Sequence, residues 1–187
     1  MPRKGWRNGG PVQGPVGKMS KKNKQKNTHK TNAVRIVEAE GIEYQMHEYD
    51  APEGFLDGVS VASALGQDPD QVFKTLVTVG ASRQNYVCVI PVAEELDLKK
   101  AAKHFGEKKI EMLPSKLITQ TTGYIKGGCS PVGMKKPFPT AVDLRAADLD
   151  TIMVSGGKVG LQMQLPAAEL LRITGAQLAD LIVDRQK

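Results

Sequence analysis

Two β-rich runs constrain the fold more than any other feature of the chain. Residues 73–79 (FKTLVTV) and 86–92 (YVCVIPV) are dominated by apolar and β-branched side chains, and a polar loop, residues 80–85, separates them. Such a pair is typical of two antiparallel strands joined as a hairpin. Because both runs are nearly continuous in apolar residues, they predict strands at the centre of a sheet.

Further helices and strands follow from hydrophobic spacing and from capping residues. Apolar residues at helical spacing end before Gly41, and Asp97 is placed to cap a later helix. The patterns predict helices at 33–37, 59–65, 97–105 and 166–173, and strands at 42–46, 109–112, 140–144, 151–154 and 161–165. The order lacks a strict βαβ rhythm, so we expect a single α+β domain with a mixed or antiparallel sheet and flanking helices. Residues 178–183 are compatible with either a strand or a helix.

The charge of the chain is unevenly distributed. The formal net charge is +6, from 26 Lys+Arg and 20 Asp+Glu. Residues 1–30 hold nine of the basic residues and no acid, which leaves 17 basic against 20 acidic residues, a net charge of −3, for 31–187. We therefore predict a disordered basic tail at 1–30 and a folded domain at 31–187. The tail could be a solvated leader, with Met19 as an alternative start, or an arm that contacts RNA phosphates.

Several common classes of site are excluded by spacing. The two cysteines, Cys88 and Cys129, lie 41 positions apart and form neither a disulfide framework nor a four-ligand zinc site. The three histidines are scattered, and neither a P-loop nor a GxSxG elbow is present. The longest apolar run, seven residues, is far shorter than the ~20 needed to cross a bilayer. We expect a cytoplasmic protein that uses no metal and no cofactor and does not bind membranes.

Three stretches differ from ordinary core or surface. Lys74 interrupts an apolar strand; such a lysine usually points to solvent, but in a pocket it would be a positioned cation with a lowered pKa. Residues 127–133 (GGCSPVG) and 155–160 (SGGKVG) are rich in glycine. Glycine lets backbone N–H groups approach a ligand closely, although structural turns explain both stretches equally well.

Taken together, the motifs of this chain closely resemble those of the YbaK family. Five segments carry the resemblance in order: HEYD at 47–50, FKTLV at 73–77, LKKAAKHFG at 98–106, TGYIKGGCSPVG at 122–133 and VSGGKVGL at 154–161. These family members are freestanding proteins that hydrolyse mischarged Cys-tRNA(Pro), and they are related to the editing domain of bacterial prolyl-tRNA synthetases. The resemblance covers residues 32–183 and leaves the tail outside.

The resemblance implies a set of site residues. Lys74 matches the family's essential lysine, and the expected substrate-binding residues are Tyr49, Thr75, Gly127, Gly128, Ser155 and Gly156. Some family members carry an acid where this chain has Gln162, so the role of that position is open. Cys129 is expected to serve packing rather than catalysis.

The implied reaction is hydrolysis of the ester between an amino acid and the terminal adenosine of tRNA(Pro), most simply with cysteine as the amino acid. Backbone N–H groups of Gly127, Gly128 and Gly156 would stabilise the oxyanion, and the substrate's own thiol would be the attacking group. Alternatives are a deacylase for Ala-tRNA(Pro) or another small aminoacyl-tRNA, and a tRNA- or synthetase-binding module without turnover. The net charge of −3 argues against strong independent tRNA binding, and the resemblance implies prolyl-tRNA synthetase as a transient partner.

Overall fold

The computed structural model describes residues 30–51 and 57–186. The predicted tail therefore lies outside the described residues, except for Lys30 at its end. The helices of the described chain are α1 (Asn32–Ala39), α2 (Gly58–Ala64), α3 (Leu98–Phe105), α4 (Ile118–Thr122) and α5 (Ala167–Thr174). The strands are β1 (Gln45–Glu48), β2 (Phe73–Gly80), β3 (Asn85–Pro91), β4 (Ile110–Met112), β5 (Thr140–Asp143), β6 (Thr151–Ser155), β7 (Leu161–Pro166) and β8 (Gln177–Ala179).

The predicted hairpin is confirmed. Strands β2 and β3 pair antiparallel from Phe73 opposite Pro91 to Val79 opposite Asn85. They lie inside a five-stranded sheet of order β4-β2-β3-β5-β8, in which β5 runs parallel to both β3 and β8. A second sheet, of order β1-β7-β6, is antiparallel. The α+β domain with mixed and antiparallel strands is thus confirmed, and its strands divide into two sheets.

Alternating side chains of β3 face two different cores, as expected for a strand covered on both faces. Val87 and Val89 belong to a core shared with the second sheet, α1 and α5. Cys88 and Ile90 belong to a core on the other face, which helix α3 covers. Helix α3 therefore packs on the side of the five-stranded sheet opposite to the second sheet.

Local capping chemistry accounts for α3 as predicted. The Asp97 carboxylate accepts hydrogen bonds from the N–H groups of Lys99 and Lys100, and Gly106 ends the helix with φ 71°. The strand predicted at 42–46 begins later, at Gln45. Ile42 is buried, and its N–H donates to the Val37 carbonyl, so it completes the end of α1 instead of entering the sheet.

Candidate active site

The site forms where the two sheets separate. A single parallel bridge, Val72 to Met153, links β2 to β6. Strand β4 pairs with β2 only from Thr78 to Gly80, which leaves the first half of that edge of β2 open. A cavity of about 330 Å³ lies along this open half, between β2 and residues from β6 and β7. The topology therefore creates a wedge-shaped pocket next to an unpaired strand edge.

The backbone of Thr75 presents hydrogen-bonding groups to this wedge. The Val92 N–H donates to the Val72 carbonyl, whereas Val77 on the same strand accepts from Leu113, on the other side. Because the direction of these bonds alternates along an antiparallel strand, even-numbered residues of β2 bond to β3 and odd-numbered residues point away from it. The N–H and C=O of Thr75 therefore face the open edge.

The sequence allowed Lys74 to point either to solvent or into a pocket. The structure places it in the wall of the pocket. Its side chain is half-buried, and this burial lowers the pKa of its ammonium group below the ordinary value. The carboxylates of Glu95, Glu94 and Asp57 act in the opposite direction without cancelling the effect. The pocket therefore holds a cation that is poorly hydrated and that interacts favourably with added negative charge.

Two polar side-chain atoms in the pocket wall have no hydrogen-bond partner. They are Thr75 Oγ1 and Gln162 Oε1, and both are buried from solvent. Gln162 is only 7% exposed and lies opposite Ser155 in the pairing of β6 and β7. A buried polar group without a partner costs about 1–3 kcal/mol, so such groups are normally satisfied. Here a bound ligand that donates hydrogen bonds would satisfy them.

The two glycine loops meet each other beside the pocket. Gly127 and Ser155 line the cavity, whereas Gly128 and Gly156 are not among its lining residues. A Cβ atom at Gly128 would lie 2.8 Å from both the Cα and the carbonyl carbon of Lys158. Glycine at 128 is therefore required for the close packing of one loop against the other.

Two backbone amides in these loops differ from the expectation that they stabilise the oxyanion. The Gly128 N–H donates to the Ile125 carbonyl, and the Gly156 N–H donates to the Leu161 carbonyl. Both donors are already used inside the protein, so neither is available for an oxyanion in this arrangement. The expectation that they stabilise the reaction intermediate is wrong for this geometry, because each closes its own turn.

No lining side chain has the arrangement of an activated nucleophile. Burial raises the pKa of the Cys129 thiol to about 11, which keeps the thiol protonated and weakly reactive. Ser155 Oγ accepts a hydrogen bond from the Gly157 N–H, and none of the lining residues is a histidine. Within the described residues, no group of three His, Cys, Asp or Glu side chains is placed to hold a metal ion.

Most of the residues expected from the sequence come together in this pocket. Those that line it are Tyr49, Lys74, Thr75, Gly127 and Ser155. Sequence reasoning left the role of Gln162 open and did not include Lys126, and it treated Cys129 as a packing residue, yet all three also line the cavity. The available signal for Gln162 was the alternation of side chains along β7. Its neighbours Leu161 and Met163 are both buried in the core, so Gln162 points to the other face of the strand.

Comparisons with known proteins agree with this geometry. Residues 57–173 match the sequence profile of the aminoacyl-tRNA editing domain family. The chain belongs to this family. A protein of Enterococcus faecalis that carries the name Cys-tRNA(Pro)/Cys-tRNA(Cys) deacylase EbsC is 48% identical over 158 residues, which cover 84% of this chain and 96% of that protein.

Solved structures share the fold. One, described as a trans-editing enzyme for prolyl-tRNA synthetase, is 27% identical, has a TM-score of 0.73 and aligns over 82% of this chain and 96% of its own. Another, of a hypothetical protein, matches with a TM-score of 0.74 at 21% identity over 81% of this chain and 99% of its own, which supports the fold alone.

The resemblance to the YbaK-type editing proteins is thereby confirmed. The protein is an aminoacyl-tRNA editing enzyme of the deacylase class. None of the described helices is both long and apolar enough to cross a membrane.

Proposed function

We propose that this protein hydrolyses the ester that joins cysteine to mischarged tRNA(Pro). The observation that carries the proposal is the wedge pocket, whose lining combines the half-buried Lys74 with Thr75 and Gln162, the residues that carry the unpartnered Oγ1 and Oε1 atoms. An aminoacyl ester offers a positive ammonium group and a carbonyl that becomes negative during reaction. The pocket therefore combines one cation with acceptors in the way such a substrate requires.

Each polar group of the aminoacyl ester has a partner in this proposal. The ammonium group donates to Gln162 Oε1 and to the outward-facing carbonyl of Thr75. The ester carbonyl lies against the Lys74 ammonium and the Thr75 N–H, which stabilise the oxyanion as it forms. These contacts hold the substrate in one orientation, and positioning is a large part of what an already activated ester needs.

The attacking group in the proposed reaction is the thiol of the substrate cysteine. The thiol loses its proton, the sulfur bonds to the carbonyl carbon, and the bond from that carbon to the ribose oxygen breaks as this oxygen takes up a proton. The products are the thiolactone of cysteine and tRNA with a free terminal hydroxyl, and water then opens the thiolactone. The protonated Cys129 and the absence of histidine from the lining support this route, because neither provides an alternative nucleophile with its base.

The volume of the pocket supports a small amino acid. At about 330 Å³ it lies at the lower end of the range for ligand-binding cavities, so it suits an aminoacyl group with part of a ribose. A pocket of this kind discriminates by only ~1–3 kcal/mol per methylene, so size alone separates cysteine poorly from alanine. The thiol chemistry then supplies the remaining preference for cysteine.

We also propose prolyl-tRNA synthetase as a transient partner and the cytoplasm as the place of action. The support is the structural relative described as a trans-editing enzyme for that synthetase.

Deacylation of tRNA(Pro) charged with cysteine, alanine, proline or S-methylcysteine tests the proposal. We expect rapid release of cysteine and much slower release of alanine and of S-methylcysteine, because neither of these two has a thiol that can lose a proton and attack. Equal rates for cysteine and S-methylcysteine would exclude attack by the substrate thiol. Failure to release any of the four amino acids would exclude the proposed function.

A further inference from the structure

A long segment beside the pocket contains lysine but no acid. Residues 113–142 are thirty consecutive positions without Asp or Glu, between Glu111 and Asp143. They include four lysines, all exposed to solvent: Lys116, Lys126, Lys135 and Lys136. The rest of the folded part is rich in acids, so this segment is a local positive surface that the net charge of the domain conceals.

This segment borders the pocket directly. It contributes six of the lining residues: Leu113, Ser115, Ile118, Lys126, Gly127 and Cys129. A fifth exposed lysine, Lys158, comes from the facing loop, whose backbone packs against Gly128. We call these five residues the lysine rim: Lys116, Lys126, Lys135, Lys136 and Lys158. The rim thus belongs to the segment 113–142 and to the facing loop 155–160, both of which contribute residues to the lining of the cavity.

Acidic side chains lie near Lys74, outside the lysine rim. Asp57, Glu94 and Glu95 all act on Lys74 from the side formed by the start of α2 and the turn after β3. Exposed charges interact over about 8 Å at physiological ionic strength, so a polyanion is attracted by the rim lysines and repelled by Asp57 and Glu95, whereas Glu94 is paired with Arg185. The pocket therefore has a preferred direction of approach for a chain of phosphates.

Two exposed apolar side chains accompany the lysine rim. Ile125 is 55% exposed and precedes Lys126, and Met112 is 44% exposed and lines the pocket. These two side chains add apolar surface beside the positive charge. Bases are flat and apolar on their faces, and they follow the phosphate backbone into such a surface.

We propose that the lysine rim binds the phosphodiester backbone of the single-stranded 3′ end of an RNA and directs its terminal nucleotide into the pocket. This inference rests on the proposed function for the identity of the RNA as a charged tRNA. The domain thus contacts RNA through one face, although its total charge of −3 on its own argues against tRNA binding. The pocket recognises the amino acid, whereas the lysine rim contacts only phosphate.

The test compares two triple variants of the full chain, each of which loses three positive charges. The rim variant carries Lys116→Gln, Lys135→Gln and Lys136→Gln, none of which lines the cavity. The matched control carries Lys99→Gln, Lys103→Gln and Lys108→Gln, on and just after α3, a helix that contributes no lining residue. Binding of an uncharged, fluorescent RNA hairpin with a single-stranded 3′ end is measured from 50 to 200 mM salt. Both variants keep the basic residues 1–30, whose contribution therefore cancels.

We expect the salt dependence of binding to weaken in the rim variant alone. Three lost single-strand phosphate contacts reduce the slope of log K against log salt by about 2, so a fourfold rise in salt costs the wild type about 16-fold more affinity than it costs the variant. An unchanged slope, or an equal change in the control, would overturn the proposal. So would a rim variant that binds RNA normally but loses affinity for prolyl-tRNA synthetase, because the rim would then dock an acidic protein surface.

A second measurement separates this inference from the proposed function. Cysteinyl-adenosine carries the reacting ester but no phosphate, so the rim variant should hydrolyse it at the wild-type rate. A large loss on this substrate would place the rim lysines in the reaction itself and overturn the proposal. If the wild type hydrolyses neither substrate, the proposed function fails, while the RNA-binding comparison still decides the role of the rim.

Discussion

Addition of one methyl group at Gly128 should separate the two glycine loops, 127–133 and 155–160, beside the candidate pocket. The Cβ of Gly128→Ala would lie 2.8 Å from Lys158 Cα, Lys158 C and Val159 N, all of them backbone atoms. An ordinary contact begins near 3.4 Å, so the loops must move apart by roughly 0.6 Å or more. The φ of Gly128 is not among the positive values, so the cost comes from crowding and not from backbone conformation.

The expected magnitude follows from packing. Crowding of a well-packed region costs about 1–3 kcal/mol, and the reduced entropy of the unfolded chain returns about 0.4–1 kcal/mol. We therefore expect Gly128→Ala to lower the free energy of unfolding by about 1–2 kcal/mol. The moved wall should also reduce the deacylation of Cys-tRNA(Pro) more than the stability loss alone explains, because most molecules remain folded.

Gly156→Ala is the matched control. Its Cβ would meet Leu161 Cγ at 2.8 Å and Met46 Cε at 3.3 Å, which are side-chain atoms that can rotate. We expect a smaller loss of stability than for Gly128→Ala, since a side chain, even that of the buried Leu161, yields more easily than a backbone. Urea unfolding followed by circular dichroism measures both variants. If Gly128→Ala were as stable and as active as the wild type, the contact between the loops would not define the pocket.

Three further predictions concern the charges of the protein. Lys74→Met should raise the midpoint of urea unfolding at pH 7, because the lowered pKa of Lys74 means that the fold disfavours its charged form. The gain should shrink as the pH rises through the lowered pKa of the folded lysine, and it should be lost above 10.5, the ordinary pKa, where the lysine is neutral in both states. Glu95→Gln should shift the alkaline limb of the pH profile of kcat to lower pH, since Glu95 raises the pKa of Lys74, whereas Glu169→Gln on α5 should not. Removal of residues 1–30 should leave kcat unchanged and flatten the salt dependence of KM for tRNA, because this removal deletes nine basic residues but none of the residues that line the pocket. A collapse of kcat would contradict the division of the chain into a tail and a folded domain.

The elements that local rules determine were predictable from the sequence. The β2–β3 hairpin and the capped helix α3 depend on hydrophobic pattern and on neighbours within a few residues, and both are confirmed. The arrangement of the strands in two sheets was not predicted, because it depends on contacts between residues far apart in the chain, such as Val72 and Met153, which are 81 positions apart. No local pattern encodes such a long-range bridge.

In the site, too, features set by local sequence were predictable, and features set by long-range contacts were not. Lys74 was found because a cation interrupts an apolar strand within a recognisable motif, and Thr75 was found because the family resemblance places it beside that lysine. The isolation of Gln162 Oε1 was not predictable, because it depends on which atoms surround it in the folded chain. The glycines at 128 and 156 were expected to donate their N–H groups, but glycine in a sequence does not indicate whether its amide or its missing side chain matters.

The central claim is that a half-buried cation in the wedge pocket stabilises the reacting ester. Single-turnover deacylation of Cys-tRNA(Pro) by wild type, by Lys74→Ala and by the surface variant Lys99→Ala tests it most directly, with circular dichroism to confirm that all three proteins are folded. We expect Lys74→Ala to be slower by about 10²-fold or more, the usual cost of losing a preorganised charge at an oxyanion, and Lys99→Ala to match the wild type. A folded Lys74→Ala protein that releases cysteine at a rate close to that of the wild type would contradict the account.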